Sequence, residues 1–304
     1  MTDPLRARNR LGVVFFPAFD WAISATHPER EERLLYTRDQ LAEEGLFDIP
    51  GITEYRPELA TNAQVERVHF CLPSTGAVVT DSHRASAGGA ITAARLVMEK
   101  KEDKAFALVR PPGHHAMRVT HGNRGFCNIN NEAVMVEYIR DHYPHPTGRP
   151  LRIAIVDTDV HHGDGTESIL AGLPQFRFFS LFQWPLFPFT RMEPTPENVV
   201  ATPLAAGAEG HVLSDVVEHI WLPALDAYKP QLVLLSAGFD AHVEEHMAQL
   251  KAAEIDYARM TRRLVRAAGE LCEGRLVSVL EGGYAVRSLA RSVLTHIQGL
   301  VRND

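Results

Sequence analysis

Cysteine is scarce in this chain. Cys71, Cys127 and Cys272 are odd in number and far apart, which excludes both a disulfide framework and a CxxC zinc knuckle and fits a reducing compartment such as the cytoplasm. Long apolar runs are also missing. No stretch reaches 18 apolar residues, and the amino-terminal run LGVVFF is followed at once by Pro17 and then Asp20, so neither a membrane span nor a targeting leader is expected. Lys and Arg form no block, and the formal net charge is −7. Direct nucleic-acid binding, which needs a basic footprint to release counterions, is therefore not expected. Internal repeats, low-complexity tracts and linker-like shifts in composition do not occur. With 45% hydrophobic and 23% charged residues, the composition is that of a globular chain able to bury a core, read as one domain over residues 1–304.

What is present is alternation. Short continuous apolar runs stand at 11–16, 105–109, 152–156, 176–181, 231–237 and 275–280, the pattern of strands buried on both faces. Between them, segments 85–101, 130–142, 211–228 and 253–272 carry apolar residues at helical spacing. Such β-α-β-α order predicts an α/β fold, an open and mostly parallel sheet of about eight strands flanked by helices. Ligand sites in open parallel sheets lie beyond the carboxyl ends of the strands. The polar clusters fall there.

The run RIAIV leads into VDTDVHHGDGT, residues 156–166. If the strand continued, Asp157, Asp159 and His161 would share one side at i, i+2, i+4. Asp159 and His161, joined by Asp240 from SAGFDAH, would make a three-ligand metal site with open positions, the pattern of a catalytic site. Turn-forming aspartates and a capping histidine are the bland alternative for this segment alone. A second histidine pair, His114 and His115 in RPPGHHA, follows another strand. Asp157 and Asp164 remain to partner it, giving two His–Asp dyads suited to moving protons. Tyr284, after the Gly282–Gly283 turn of LEGGY, could donate a hydrogen bond to an oxyanion or simply pack at the rim. Phe126 and Phe187 are loop packing or the walls of a narrow tunnel.

In this order and spacing, RPPGHHA, GFCNINN, VDTDVHHGDGT, SAGFDAH and LEGGY resemble the zinc-dependent histone deacetylase family, with its class II-like bacterial members. The likeness runs from about Ala60, where ATNAQVERVH resembles the family's early helix, to the last helix; RASAGGAITAARL also resembles the class IV branch. The resemblance implies an arginase/deacetylase-like fold and hydrolysis of an acylated lysine peptide or another N-acylated amine. It implies zinc on Asp159, His161 and Asp240, with His115 as general base backed by Asp164. His114, paired with Asp157, would be an electrostatic partner, and Tyr284 would stabilise the oxyanion. Phe126 and Phe187 would enclose the acyl-lysine chain, with the Gly125 carbonyl near its amide and Gly282 and Gly283 beside the substrate. A potassium ion would sit on the Asp157 carboxylate and the carbonyls of Asp157, Asp159 and His161, with Ser180 and Leu181 contributing. His162 would point away.

The chain also departs from that pattern. Class II-like members usually carry Asn where Asp164 stands, and SAGFDAH runs into VEEHMAQL without the usual Asp-Pro-Leu. Substrate choice is expected from rim loops near 18–35, 72–84 and 184–198. An acetylpolyamine amidohydrolase is the nearest alternative, and an arginase-like binuclear hydrolase lacks its second Asp-rich cluster. A catalytically silent acyl-lysine binder would need a damaged ligand, base or tyrosine, and each of those positions is filled. Assembly into homo-oligomers is left open.

Overall fold

A computed structural model describes residues 6–144, 147–190 and 194–302; part of each Pro-rich loop, 145–146 and 191–193, lies outside these. Among the described residues the strands are β1 Leu11–Phe15, β2 Ile52–Tyr55, β3 Phe70–Cys71, β4 Lys104–Leu108, β5 Val119–Thr120, β6 Ile153–Asp157, β7 Phe176–Gln183, β8 Val199–Leu204, β9 Leu232–Ala237 and β10 Leu276–Leu280. β3 pairs with β5 alone, and the other eight form one sheet in the order β2-β1-β4-β10-β9-β6-β7-β8. Every neighbouring pair in it is parallel.

All six expected strands form, so the α/β fold with a parallel eight-stranded sheet is the one the alternation predicts. The two unforeseen strands are its edges. β2 has two exposed residues in four and β8 contains Pro203, so neither presents the continuous apolar run of a strand covered on both faces. Helices cover both faces. Asp81–Met98, Asn131–His142 and Glu254–Leu271 match expectation, while 211–228 is split by a π-helical turn at Val217–Trp221. The helix Glu32–Glu43 was not legible, because the face it buries includes Arg33 and Thr37 beside Leu34 and Leu41.

Side chains alternate along each strand. Phe106 and Leu108 of β4 enter a core shared with the helices Glu254–Leu271 and Val286–Leu300, whereas Ala105 and Ala107 enter the core under Asp81–Met98 and Asn131–His142. Phe106 and Phe178 are fully buried, and each such side chain contributes about 1.5–3 kcal/mol. The central strands β4, β6, β9 and β10 are thus buried along their whole length. Adjacent in the sheet in the order β4, β10, β9 and β6, they end in the histidine pair, LEGGY, SAGFDAH and VDTDVHH respectively. No helix among the described residues is long and apolar enough to cross a membrane.

Candidate active site and metal centre

The strand β6 stops at Asp157, so the simple i, i+2, i+4 alternation expected through His161 does not hold. A turn brings the groups together instead. Asp159 N–H donates to Asp157 Oδ1 at 3.1 Å and His161 N–H donates to Asp159 Oδ1 at 2.8 Å. His161 Nδ1 then lies 3.0 Å from Asp159 Oδ1 and 3.2 Å from Asp240 Oδ2. The three side chains offer ligand atoms all within 4.8 Å of one another, and all are buried. Their second oxygens are occupied: Val160 N–H donates to Asp240 Oδ1 at 2.9 Å and Gly282 N–H to Asp159 Oδ2 at 2.8 Å.

This donor set fits a cation. Burial opposes charge on His161, yet the hydrogen bonds its ring donates to the Asp159 and Asp240 carboxylates carry its pKa up to about 10. Burial, together with Asp159, pushes Asp240 up to about 6. The cluster has surplus negative charge in a dry place, and two carboxylates with one imidazole suit zinc or another first-row divalent ion. Gly282 makes the close approach feasible, since a Cβ there would lie 2.2 Å from Asp240 Oδ2 and 2.5 Å from Asp159 Oδ2.

Both dyads exist, and their pairing is resolved. His114 Nδ1 lies 2.9 Å from Asp157 Oδ2, and His115 Nδ1 lies 2.9 Å from Asp164 Oδ1. The two imidazoles are 4.0 Å apart between centroids. Burial and the neighbouring His114 push His115 down to about 3 against the pull of Asp164. On His114 the balance is reversed: Asp159, Asp157 and Glu281 outweigh burial and hold it well above its ordinary value. Their surroundings thus drive the two rings in opposite directions, His115 toward the neutral form and His114 toward the protonated one.

A cavity of about 350 Å³ leads to these groups, lined by His114, His115, His161, Gly125, Phe126, Phe187 and Tyr284, with Ile23, His27, Asn123, Leu186 and Met247. Phe126 meets Tyr284 edge-on at 5.4 Å and Phe187 meets His115 at 5.0 Å. Burial keeps the Tyr284 phenol well above its ordinary pKa, hence protonated. Gly282 and Gly283, expected beside the substrate, do not line the cavity: Gly282 secures Asp159, and the Gly283 carbonyl accepts from Arg33 Nε at 2.7 Å. Of the expected rim loops, 18–35 and 184–198 contribute, but 72–84 does not, and Met247 takes a share instead. Asp157 faces Ser180 across the β6–β7 pair. His162 points away, its Nδ1 3.0 Å from Ser180 Oγ and its Nε2 2.6 Å from Glu167 Oε2.

A profile of the histone deacetylase domain matches residues 74–300. The chain belongs to the histone deacetylase family. It is 38% identical over 292 residues to a probable deacetylase of Archaeoglobus fulgidus, covering 86% of this chain and 78% of that one. It is 34% identical to the histone deacetylase-like amidohydrolase of Pseudomonas aeruginosa, over 66% of this chain and 53% of the relative. The polyamine deacetylase HDAC10 of Mus musculus is 33% identical, over 72% of this chain and 33% of its own length. The crystal structure of the HDA15 HD domain superposes with a TM-score of 0.83 at 28% identity, over 96% of this chain and 88% of that domain. β1 and β2 precede the profile match, yet they belong to the same sheet.

Several supports of this deacetylase-family site were not foreseen. Glu29 lies between two buried arginines, accepting from Arg110 Nε and Nη2 at 2.7 and 2.6 Å and from Arg33 Nη1 at 3.2 Å. Arg33 also stacks 4.6 Å from the centre of the Tyr284 ring. Glu245 accepts the N–H groups of Tyr284 and Ala285 at 2.7 and 3.0 Å. Glu281 Oε2 accepts those of Gly113 and His114 at 2.8 and 3.2 Å. Arg110 and Glu281 stood inside the recognised motifs, and the i, i+4 spacing of Glu29 and Arg33 was the only local signal of their pairing.

Proposed function

We propose that this family member is a zinc-dependent deacylase acting on acyl-lysine side chains. The observation that carries the reading is the buried Asp159–His161–Asp240 cluster with two separately backed histidines, at the base of a narrow cavity walled by Phe126 and Phe187. Zinc held by those three ligands would polarise the acyl carbonyl and lower the pKa of a water toward roughly 7. Phe126 and Phe187 enclose the lysine methylenes and keep bulk water out, while the Gly125 carbonyl accepts the amide N–H. His115, fixed by Asp164 at Nδ1, takes the water's proton at Nε2 and returns one to the leaving amine. His114, fixed by Asp157, acts as an electrostatic partner, and Tyr284 donates to the oxyanion. In this reading residues 1–304 work as one catalytic domain in the cytoplasm, and Asp157, Asp159 and His161 with Ser180 and Leu181 would hold a potassium ion that would steady the turn after β6.

The second reading is an acetylpolyamine amidohydrolase, favoured by the name of the mouse relative. Against it, none of the described residues that line the cavity carries a carboxylate for a distal ammonium group. Turnover of the zinc-loaded protein on acetyl-lysine peptides, acetyl-putrescine and longer acyl-lysines tests both. Preferential hydrolysis of the acetylated diamine would replace the first reading with the second.

A further inference from the structure

Asp164 has more partners than a base dyad needs. Its Oδ1 faces His115 Nδ1 at 2.9 Å. Its Oδ2 accepts both from the Arg124 guanidinium and from Thr190 Oγ1, the latter at 3.0 Å. Each of these two donors belongs to one wall of the cavity. Arg124 opens a tight hairpin: its N–H donates to the Cys127 carbonyl and Cys127 N–H donates back, both at 2.9 Å. The two residues at the tip, Gly125 and Phe126, have φ of 51° and 69°, so this is a type I′ turn that holds Phe126 in a left-handed conformation disfavoured for a bulky side chain. Such a conformation persists only where the surroundings hold it. Thr190 lies three residues beyond Phe187, in the loop that forms the opposite wall. Arg124 also reaches that wall directly, its guanidinium 5.7 Å from the centre of the Phe187 ring.

We infer that Arg124 and Thr190 are positioning residues that clamp both aromatic walls onto the Asp164 carboxylate, so that the width of the lysine tunnel is set from the same group that orients His115. The guanidinium suits this because it is planar: one edge forms the charge-assisted hydrogen bond while its face rests on an aromatic ring. A lysine could supply only the charge. The consequence is grip on the lysine methylenes, since releasing either wall lets the tunnel widen without removing any group that touches the reacting atoms.

This inference rests on the deacylase reading for its kinetic part and not for its structural part. Steady-state kinetics on acetyl-, butyryl- and octanoyl-lysine peptides are compared for wild type, R124M, R124K and the near-isosteric T190V, alongside hydrogen–deuterium exchange of segments 122–129 and 184–190. In R124M, KM for the acetyl peptide rises by about tenfold with kcat changed only a few-fold, as for lost substrate positioning. KM for the butyryl and octanoyl peptides rises in parallel, because all three substrates share the lysine stem. Lysine at 124 does not restore KM. Both segments exchange faster in R124M, whereas T190V loosens 184–190 alone. Unchanged KM with unchanged exchange in R124M and T190V would overturn the inference. If wild type hydrolyses none of the peptides, the deacylase reading fails, and exchange alone decides the clamp.

Discussion

Gly282 donates its N–H to Asp159 Oδ2 at 2.8 Å, and its α-carbon stands so near the Asp159 and Asp240 carboxylates that no side chain fits. A Cβ would overlap Asp240 Oδ2 at 2.2 Å. These oxygens belong to short side chains tied by further hydrogen bonds, so they cannot swing away. Gly282→Ala is expected to weaken zinc binding by about 10–100-fold, the usual consequence of disturbing the groups that orient metal ligands. Metal content after dialysis against graded chelator measures this, with circular dichroism confirming the fold. Wild-type zinc retention in a folded variant would remove the crowding argument.

Tyr284 is held from behind, with Arg33 stacked on its ring and Glu245 accepting its backbone N–H. A phenol so fixed loses no freedom when it donates to a developing oxyanion, which is where such donors are most effective. Tyr284→Phe keeps the ring and the stacking and removes only the donor. Turnover on an acetyl-lysine peptide should fall on the order of a hundredfold or more, with zinc stoichiometry unchanged. A variant with normal turnover would take Tyr284 out of the chemistry.

Much of this site was legible because strand ends carry it. Asp159, His161 and Asp240 each follow a continuous apolar run, and in a parallel sheet those runs deliver their ends to one edge. Which histidine pairs with which aspartate was legible only through resemblance, since the spacing alone suits either arrangement. Alternation along a strand predicts that Asp157, Asp159 and His161 share one side, but Asp159, His161 and Asp240 come together by another route, because the chain turns immediately after Asp157. What stayed hidden is the polar scaffolding. Arg33 is fixed by the Gly283 carbonyl, 250 residues away, and no local periodicity marks a buried arginine whose partners are that distant. Arg124 was likewise invisible, its partner Asp164 lying 40 positions on.

The buried triad under Tyr284 makes a stability prediction. Arg33, Glu29 and Arg110 have side chains fully removed from solvent, and one carboxylate offsets two guanidinium groups. The remaining donors are satisfied by carbonyls, including those of Ala18 and Glu281 at 2.5 and 2.7 Å. Breaking a buried ion pair from one side leaves an uncompensated charge, at a cost of about 3–5 kcal/mol. Glu29→Gln is nearly isosteric and leaves two such charges. An unfolding free energy lowered by that amount, from urea denaturation, is expected, and a change below about 1 kcal/mol would mean that water or an anion reaches the arginines.

His296 supplies a pH dependence free of the metal cluster. Thr261 Oγ1 donates to the Tyr257 carbonyl at 2.8 Å, so its contact with His296 Nδ1 at 2.8 Å has the ring donating. His296 Nε2 then accepts from Ser278 Oγ at 2.9 Å. Both ring atoms are committed to the neutral form, and burial pushes the pKa down to about 3. His69 is built alike: Nε2 accepts Asn130 N–H at 2.8 Å, Nδ1 donates to the Met117 carbonyl at 2.8 Å, and burial lowers its pKa to about 4. In the unfolded chain both titrate near the ordinary value of about 6.5. Between that value and the depressed folded ones the unfolded state binds more protons, so stability is complete above pH ~6.5 and is lost as pH falls. Each histidine contributes up to ~1.4 kcal/mol per pH unit across that window. Urea midpoints at pH 7, 6 and 5 should decline in wild type and decline less steeply in His296→Asn, which is already destabilised at pH 7. Parallel declines in the two proteins would show that His296 takes up its proton without unfolding the chain.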